Sequence, residues 1–314
     1  MDILVDYIDQ RGNHSNQTVP ISRLAFAKHL AIAGQGYAPA PQKLWRTFGM
    51  FFHYSNYIRR NEFYSNNRFS EPPVELSDPT EKGQFSNLTG KAIADFLSKR
   101  INHSLFTVNY EAAMRLRGYK LRGPRPDLIA YSSGHVFALE AKGRSETNPG
   151  NMAAHKRQAN SGPLAVNFSV ACVSYNLFDR IIVNYHDPIN QEVPFDNLTL
   201  AALSRNYYRY LSEFLNEKIF ESRIIEYQGE KFYEITFSRD YLRSIYVNDR
   251  SVRDWFLFEI FDFLRPRLIL PERIRDYAED GINSNTVPFI QEGSQSVNSN
   301  VYIDNDRVGL RING

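Results

Sequence analysis

The 314-residue sequence predicts an α/β protein. Three observations carry this. Between residues 76 and 190 the patterning runs helix, strand, strand, strand, helix, strand, strand. The strands are short and apolar (LIAY, VFAL, NFSVACVSY, RIIVNY), as expected of a sheet covered on both faces. A further helix separates the first three strands from the last two. A mainly helical N-terminal region, residues 1–75, and an α+β C-terminal region, residues 191–314, flank this core.

In the first region, Ser22 to Ala33 can form a helix with Ser22 as cap and Gly34 as stop. Lys43 to Arg60 is a second helical stretch after the interrupting APAP. Trp45, Arg46, Phe52, Tyr54, Tyr57, Arg59, Arg60, Tyr64 and Arg68 mix aromatics with bases. Aromatic spacing at helical period favours ordinary packing over a base-stacking surface. Residues 70–84, acidic with three prolines, read as a linker. Thr89 to Ile101 follows as a helix with an apolar stripe of Leu88, Ala92, Phe96 and Leu97. Asp95 falls close to that stripe, where it could reach a metal or pair with Lys91 or Lys99. Leu105 to Ala112 is expected as a strand, with Glu111 near its end as a further candidate ligand or a solvated charge.

The stretch RLRGYKLRGPRP carries Arg115, Arg117, Lys120, Arg122 and Arg125 without one acid. Its glycines and prolines make it a loop, and it runs straight into Asp127. Cations so placed suit a phosphate backbone, with salt-sensitive affinity that ignores sequence.

Residues 125–144, RPDLIAYSSGHVFALEAKGR, form the most informative segment. A two-residue turn at Ser133-Gly134 pairs Ser132 with His135 and Tyr131 with Val136. Continued along the ladder, that register sets Asp127 opposite Glu140, with side chains on one face. Alternation puts Lys142 on the same face as Glu140. Two carboxylates so close repel unless a cation or a proton lies between them. Mg²⁺ takes one or two carboxylates, keeps waters and leaves room for phosphate oxygens. Metal-assisted phosphodiester hydrolysis is the chemistry this set suggests, with Lys142 positioning water or stabilising developing charge.

Pro126-Asp127 followed by Glu140-Ala141-Lys142 across a short hairpin resembles the PD-(D/E)xK motif of the restriction-endonuclease-like nuclease superfamily. The resemblance covers roughly residues 76 to 190. It implies an αβββαβ core with a mixed sheet, to which this sequence adds one strand. It also implies an Mg²⁺-dependent endodeoxyribonuclease with Asp127 and Glu140 on the metal (Mn²⁺ being an alternative) and Lys142 as the third catalytic residue. DNA is the implied substrate, with RNA still compatible, and host antiviral defence is a common setting for similar proteins. Related nucleases often carry an acid on the first core helix, the place Asp95 would take. They also carry a helix after the motif whose polar residues touch phosphate or hold the lysine. Asn148 to Asn160, with Asn148 as cap and Pro149 first, is that helix here. Lys156 and Gln158 are its candidates, and Arg144 continues the basic edge. His155 reads as exposed, because Lys142 already fills the basic role.

Composition narrows the alternatives. The net charge of +2 describes no bulk polycation, so nucleic-acid contact must come from local clustering. A single cysteine, Cys172, rules out an internal disulfide and lies in a strand pattern as a core thiol. No signal-peptide pattern opens the chain and no long apolar run occurs, so a cytoplasmic protein without membrane contact is expected.

In the C-terminal region, Leu198 to Phe220 reads as a long helix. Its seam of Leu200, Leu203, Tyr207, Leu211 and Phe214 could face the core, a second copy or an activating partner. Ile224 to Phe237 reads as a hairpin around Gln228-Gly229, Ser251 to Leu264 as a helix, and Val301 to Ile312 as a hairpin through Asn305. No catalytic constellation is evident there. Two rivals to the nuclease remain. One is a catalytically silent nucleic-acid-binding or assembly subunit of the same fold. The other is a structural partner protein joined through the long helix.

Overall fold

The computed structural model describes residues 1–34, 79–190, 196–215, 218–241, 265–283 and 300–313, with isolated positions between them. The helix expected at Ser251–Leu264 lies outside the described residues, as does most of Lys43–Arg60.

A seven-stranded mixed sheet organises the chain. It contains β1 (Asp2–Ile8), β2 (His14–Pro20), β3 (Phe106–Asn109), β4 (Leu128–Ser132), β5 (His135–Gly143), β6 (Phe168–Tyr175) and β7 (Ile182–Asn190). Their order across the sheet is β2-β1-β7-β6-β5-β4-β3. β3, β4 and β5 form an antiparallel meander, while β5 pairs with β6 in parallel. Helices α1 (Arg23–Ile32) and α2 (Pro79–Ile101) pack together, and α2 covers β5 and β6. The crossover from β5 to β6 runs through α4 (Met152–Ala159), which also packs on those two strands.

A second, antiparallel sheet has the order β11-β12-β10-β9-β8. It is built from β8 (Phe220–Tyr227), β9 (Glu230–Phe237), β10 (Arg267–Pro271), β11 (Val301–Ile303) and β12 (Gly309–Arg311). The β8–β9 turn has positive φ at both Gln228 and Gly229, 49° and 76°, the primed turn that matches strand twist. One apolar core runs from Met1 and Ile3 through Leu139 and Tyr207 to Leu310, so all three sequence regions share it.

Several boundaries differ from those expected. The N-terminus is a β-hairpin rather than mainly helical, and β1 joins the main sheet parallel to β7. Ile3 and Val5 alternate inward, but β2 is polar from His14 to Thr18, an edge strand with no apolar alternation to announce it. The helix α1 forms as expected, with the Ser22 hydroxyl accepting from Ala25 N at 3.1 Å. Residues 79–84 belong to α2 and not to a linker. The strand expected to reach Ala112 stops at Asn109. There the Asn109 side chain accepts from Ala112 N at 3.2 Å and opens a short helix, α3 (Tyr110–Leu116).

The α4 cap is Asn151, and Asn148 instead accepts from Gly150 N in the preceding turn. β7 continues through His186-Asp187 to Asn190. Helix α5 (Asn197–Ser212) ends before Phe220, which opens β8. The α5 seam is buried in the core, leaving those side chains unavailable to a partner. Among the isolated positions, Tyr54 and Tyr57 are buried against Phe85, in accord with ordinary packing.

Candidate functional site

The β4–β5 hairpin folds in the expected register, with Ser132 opposite His135 and Leu128 opposite Leu139. Gly134 takes φ +79°, which the two-residue turn requires. Asp127, just before β4, therefore stands across from Glu140. Its carboxylate accepts from Ala141 N at 3.1 Å, which fixes the side chain at the hairpin end.

Glu140 is completely buried. Lys142 Nζ lies 2.6 Å from Glu140 Oε1 and 3.7 Å from Asp127 Oδ2, and Lys142 and Asp127 are each partly exposed. The lysine contact with Glu140 is an ion pair off the hydrogen-bond direction, because neither Glu140 oxygen accepts a hydrogen bond. Burial, and then the Asp127 charge, push the Glu140 carboxyl up to about 7. Burial opposes the charge on Lys142 too, but Glu140 and Asp127 outweigh it and raise its pKa. Helix α2 presses on this end of β5. A Cβ at Gly90 or Gly143 would overlap the other element's backbone, so the approach needs glycine at both positions.

The remaining sequence candidates fall into three groups. The first supports the hairpin. Arg125 donates through Nε to Glu111 Oε1 at 2.8 Å and through Nη2 to the same oxygen. Glu111 thus sits on α3, not on a strand, and holds the loop that leads into Asp127. Gln158 Nε2 donates to Arg125 O at 3.1 Å, clamping α4 to the chain two residues before Asp127. Lys156 turns to the sheet instead. Pairing of β6 with β7 slips between Ser169 and Ala171, and the Lys156 ammonium donates to the carbonyls of Ser169 and, at 3.4 Å, His186. Burial lowers its pKa to about 8.

The second group is the exposed basic surface: Arg115, Arg117, Lys120 and Arg122, with Arg117 paired to Asp196 at 3.1 Å. Arg144, half-buried, lies 3.5 Å from Glu146.

The third group is Asp95 alone, which belongs elsewhere. It is buried against His29 Nδ1 at 2.6 Å and Thr107 Oγ1 at 2.8 Å, with Lys99 at 3.7 Å. The same cluster contains Lys28, Asp304 and Asp306, at distances of 2.7–3.2 Å between ammoniums and carboxylates. Burial alone would raise the Asp95 pKa, but Lys99, His29 and Lys28 hold it at about 2.

Two residues had been passed over. A Cβ on Gly150 would lie 2.9 Å from Arg144 Nη1 and 3.7 Å from His155 Nε2, so the guanidinium and the imidazole share one turn. Burial lowers the His155 pKa, followed by the charges of Lys142 and Arg144, which brings it to the site's edge. No sequence spacing signals this, because the Asn148–Gly150 turn makes the approach. Asp187 is buried on β7 with an unpartnered Oδ1, and burial pushes its carboxyl up to about 6.

Among the described residues no three or more His, Cys, Asp or Glu side chains gather to hold a metal ion. Asp127 and Glu140 are what the hairpin offers. A buried carboxylate whose oxygens accept no hydrogen bond, facing a second carboxylate, fits a hard divalent ion that keeps most of its waters. No helix among the described residues is long and apolar enough to cross a membrane. Comparisons with protein families, characterised proteins and solved structures find no match to this chain.

Proposed function

We propose that this chain is a metal-dependent nuclease cutting the phosphodiester backbone of nucleic acid, DNA being the expected substrate. The observation that carries the reading is Glu140: a fully buried acid without a hydrogen bond, opposite Asp127, its pKa raised to about 7. Burying a carboxylate is costly, and groups with perturbed pKa values cluster at functional sites. The order α2, β3, α3, β4, β5, α4, β6, with β6 parallel to β5, supports this reading, α3 being an insertion in the expected αβββαβ order.

In this mechanism Asp127 and Glu140 would hold Mg²⁺ or Mn²⁺. Such an ion, when bound, would supply a water of lowered pKa and positive charge for the phosphate oxygens. Asp127 is kept in place by the Ala141 amide. Lys142 reaches both carboxylates and, when these turn to a cation, is free to orient the attacking water or face the phosphate. Arg125, Glu111 and Gln158 hold the Asp127 segment still.

Incubation of plasmid and linear DNA with Mg²⁺ or with chelator tests this. Wild type should cut only with metal, and Asp127→Ala and Lys142→Ala should each lose roughly 100-fold or more. Equal cleavage by wild type and variants would sink the site assignment. The Lys142–Glu140 ion pair also suits a silent binding subunit, because it already offsets the buried charge. Binding without any cleavage would favour that second reading.

A further inference from the structure

The basic stretch that ends two residues before Asp127 is built rather than loose. Helix α3 ends by donation from Arg117 N to Ala113 O at 3.1 Å and from Gly118 N to Arg115 O at 3.0 Å. Gly118 then takes φ +75°, a helix-terminating conformation. The next residue is tied back, Tyr119 N donating to Met114 O at 2.9 Å. At the far end Arg125 is clamped by Glu111, by Gly123 O at 2.9 Å and by Gln158. The arm is therefore fixed at its start to α3 and at its end to α3 and α4, two residues before Asp127.

What the arm presents is specific. Arg115, Arg117, Lys120 and Arg122 are exposed. Between them Tyr119 is 44% exposed and Leu116 42%, among the few large apolar side chains left in water. No acid occurs from Ala112 to Pro126. A duplex would use the cations and leave the tyrosine idle, because paired bases hide their faces. An unpaired strand uses both, with cations on the phosphates and a base stacked on the ring.

We propose that the arm from Arg115 to Arg125 is a docking surface for unpaired nucleic-acid strand, with Tyr119 as its base-stacking residue. The assignment rests on the nuclease reading and narrows its substrate to single strands, junctions or melted ends. Such a strand follows the arm toward Asp127.

The test is binding by the full-length chain in chelator, so that hydrolysis plays no part. Labelled DNA and RNA single strands of about 12 nucleotides and the matching duplex are titrated and read by fluorescence anisotropy. Wild type should bind single strands more tightly than duplex, and the DNA and RNA arms identify the strand type. Tyr119→Ala should weaken single-strand binding roughly tenfold and leave duplex binding unchanged, while Tyr119→Trp restores it. Lys120→Ala with Arg122→Ala should weaken both ligands and shallow the salt dependence by about two charges. An unchanged melting midpoint shows that the variants fold. Duplex binding as tight as single-strand binding, or a Tyr119→Ala effect within about twofold, overturns the proposal. Tyr119-dependent binding with no Mg²⁺-dependent cleavage keeps the proposal and removes the nuclease reading. Cleavage indifferent to Tyr119 does the reverse.

Discussion

Asp306 and Glu140 are both buried carboxylates, and the chain surrounds them in opposite ways. Asp306 is met by Lys28, by Lys99 and by the Tyr207 hydroxyl at 2.6–2.9 Å, and its Oδ1 also takes Val308 N. Its neighbours Asp95 and Asp304 are held well below the usual carboxylate range, because the cations beside them outweigh burial. Asn305 at the same hairpin tip donates to the carbonyls of Lys99 and Ser104. Glu140 has one off-axis lysine, no hydrogen bond, and a second carboxylate across the strand. The first set locks α1, α2 and the β11–β12 hairpin into one core. The second remains unsettled in a position open to solvent through Asp127 and Lys142. A buried charge with full company locks the fold, and one left short of partners is the candidate for chemistry.

The largest expected effect comes from breaking the satisfied set. Asp306→Ala leaves two buried ammoniums short of a partner and should destabilise by about 3–5 kcal/mol, read from urea unfolding. A loss under about 1 kcal/mol would show that this cluster does not lock the core.

Glu140→Gln should act in the other sense. It removes a charge the fold resists, so near pH 8 without metal it should stabilise by at most about 3 kcal/mol, while abolishing cleavage. The pH dependence follows from the same group. The folded state keeps the Glu140 proton up to about 7 against an ordinary 4.5. The native state therefore binds more protons in that window, and the contribution of this group to stability falls as pH rises from 4.5 through about 7. In Glu140→Gln that part of the slope should vanish; an unchanged slope would assign it to other groups.

Mg²⁺ should raise wild-type stability near pH 8 by about 1.5–3 kcal/mol at 10 to 100 times its dissociation constant. It should do nothing for Glu140→Gln, and calorimetry with and without the ion reads both. The smallest effect is Gln158→Ala, which removes the clamp on Arg125 O. A stability loss of about 1 kcal/mol is expected, with a larger fall in cleavage than in strand binding if the clamp positions Asp127.

Much of the core was legible from local chemistry. Ser133-Gly134 fixed the hairpin register, and the register alone set Asp127 against Glu140. Ser22 announced α1, and Gln228-Gly229 announced the β8–β9 turn. Where local signals were weak, the pattern misled. The polar β2 has no alternation, and Asn109 reads equally as strand or cap until its side chain chooses Ala112 N. Lys156 and Gln158 lie two positions apart on α4, and both were expected to face phosphate. One fills carbonyls at a strand slip, and the other grips the loop before Asp127. No helical period distinguishes those targets, because they lie on other elements.

The sequence by itself determined the hairpin, its two opposed carboxylates, its lysine and the basic arm before it, because each depends on residues near in the chain and on strand period. Only the tertiary structure decided which acids are satisfied. Asp95 went to His29 and Lys99 and Glu111 to Arg125, while Glu140 was left without a hydrogen bond. The Asp95 outcome needs Lys28 to meet Asp304, 276 residues away, in one core, and long-range burial sets the energy of a charge in a way that spacing cannot show.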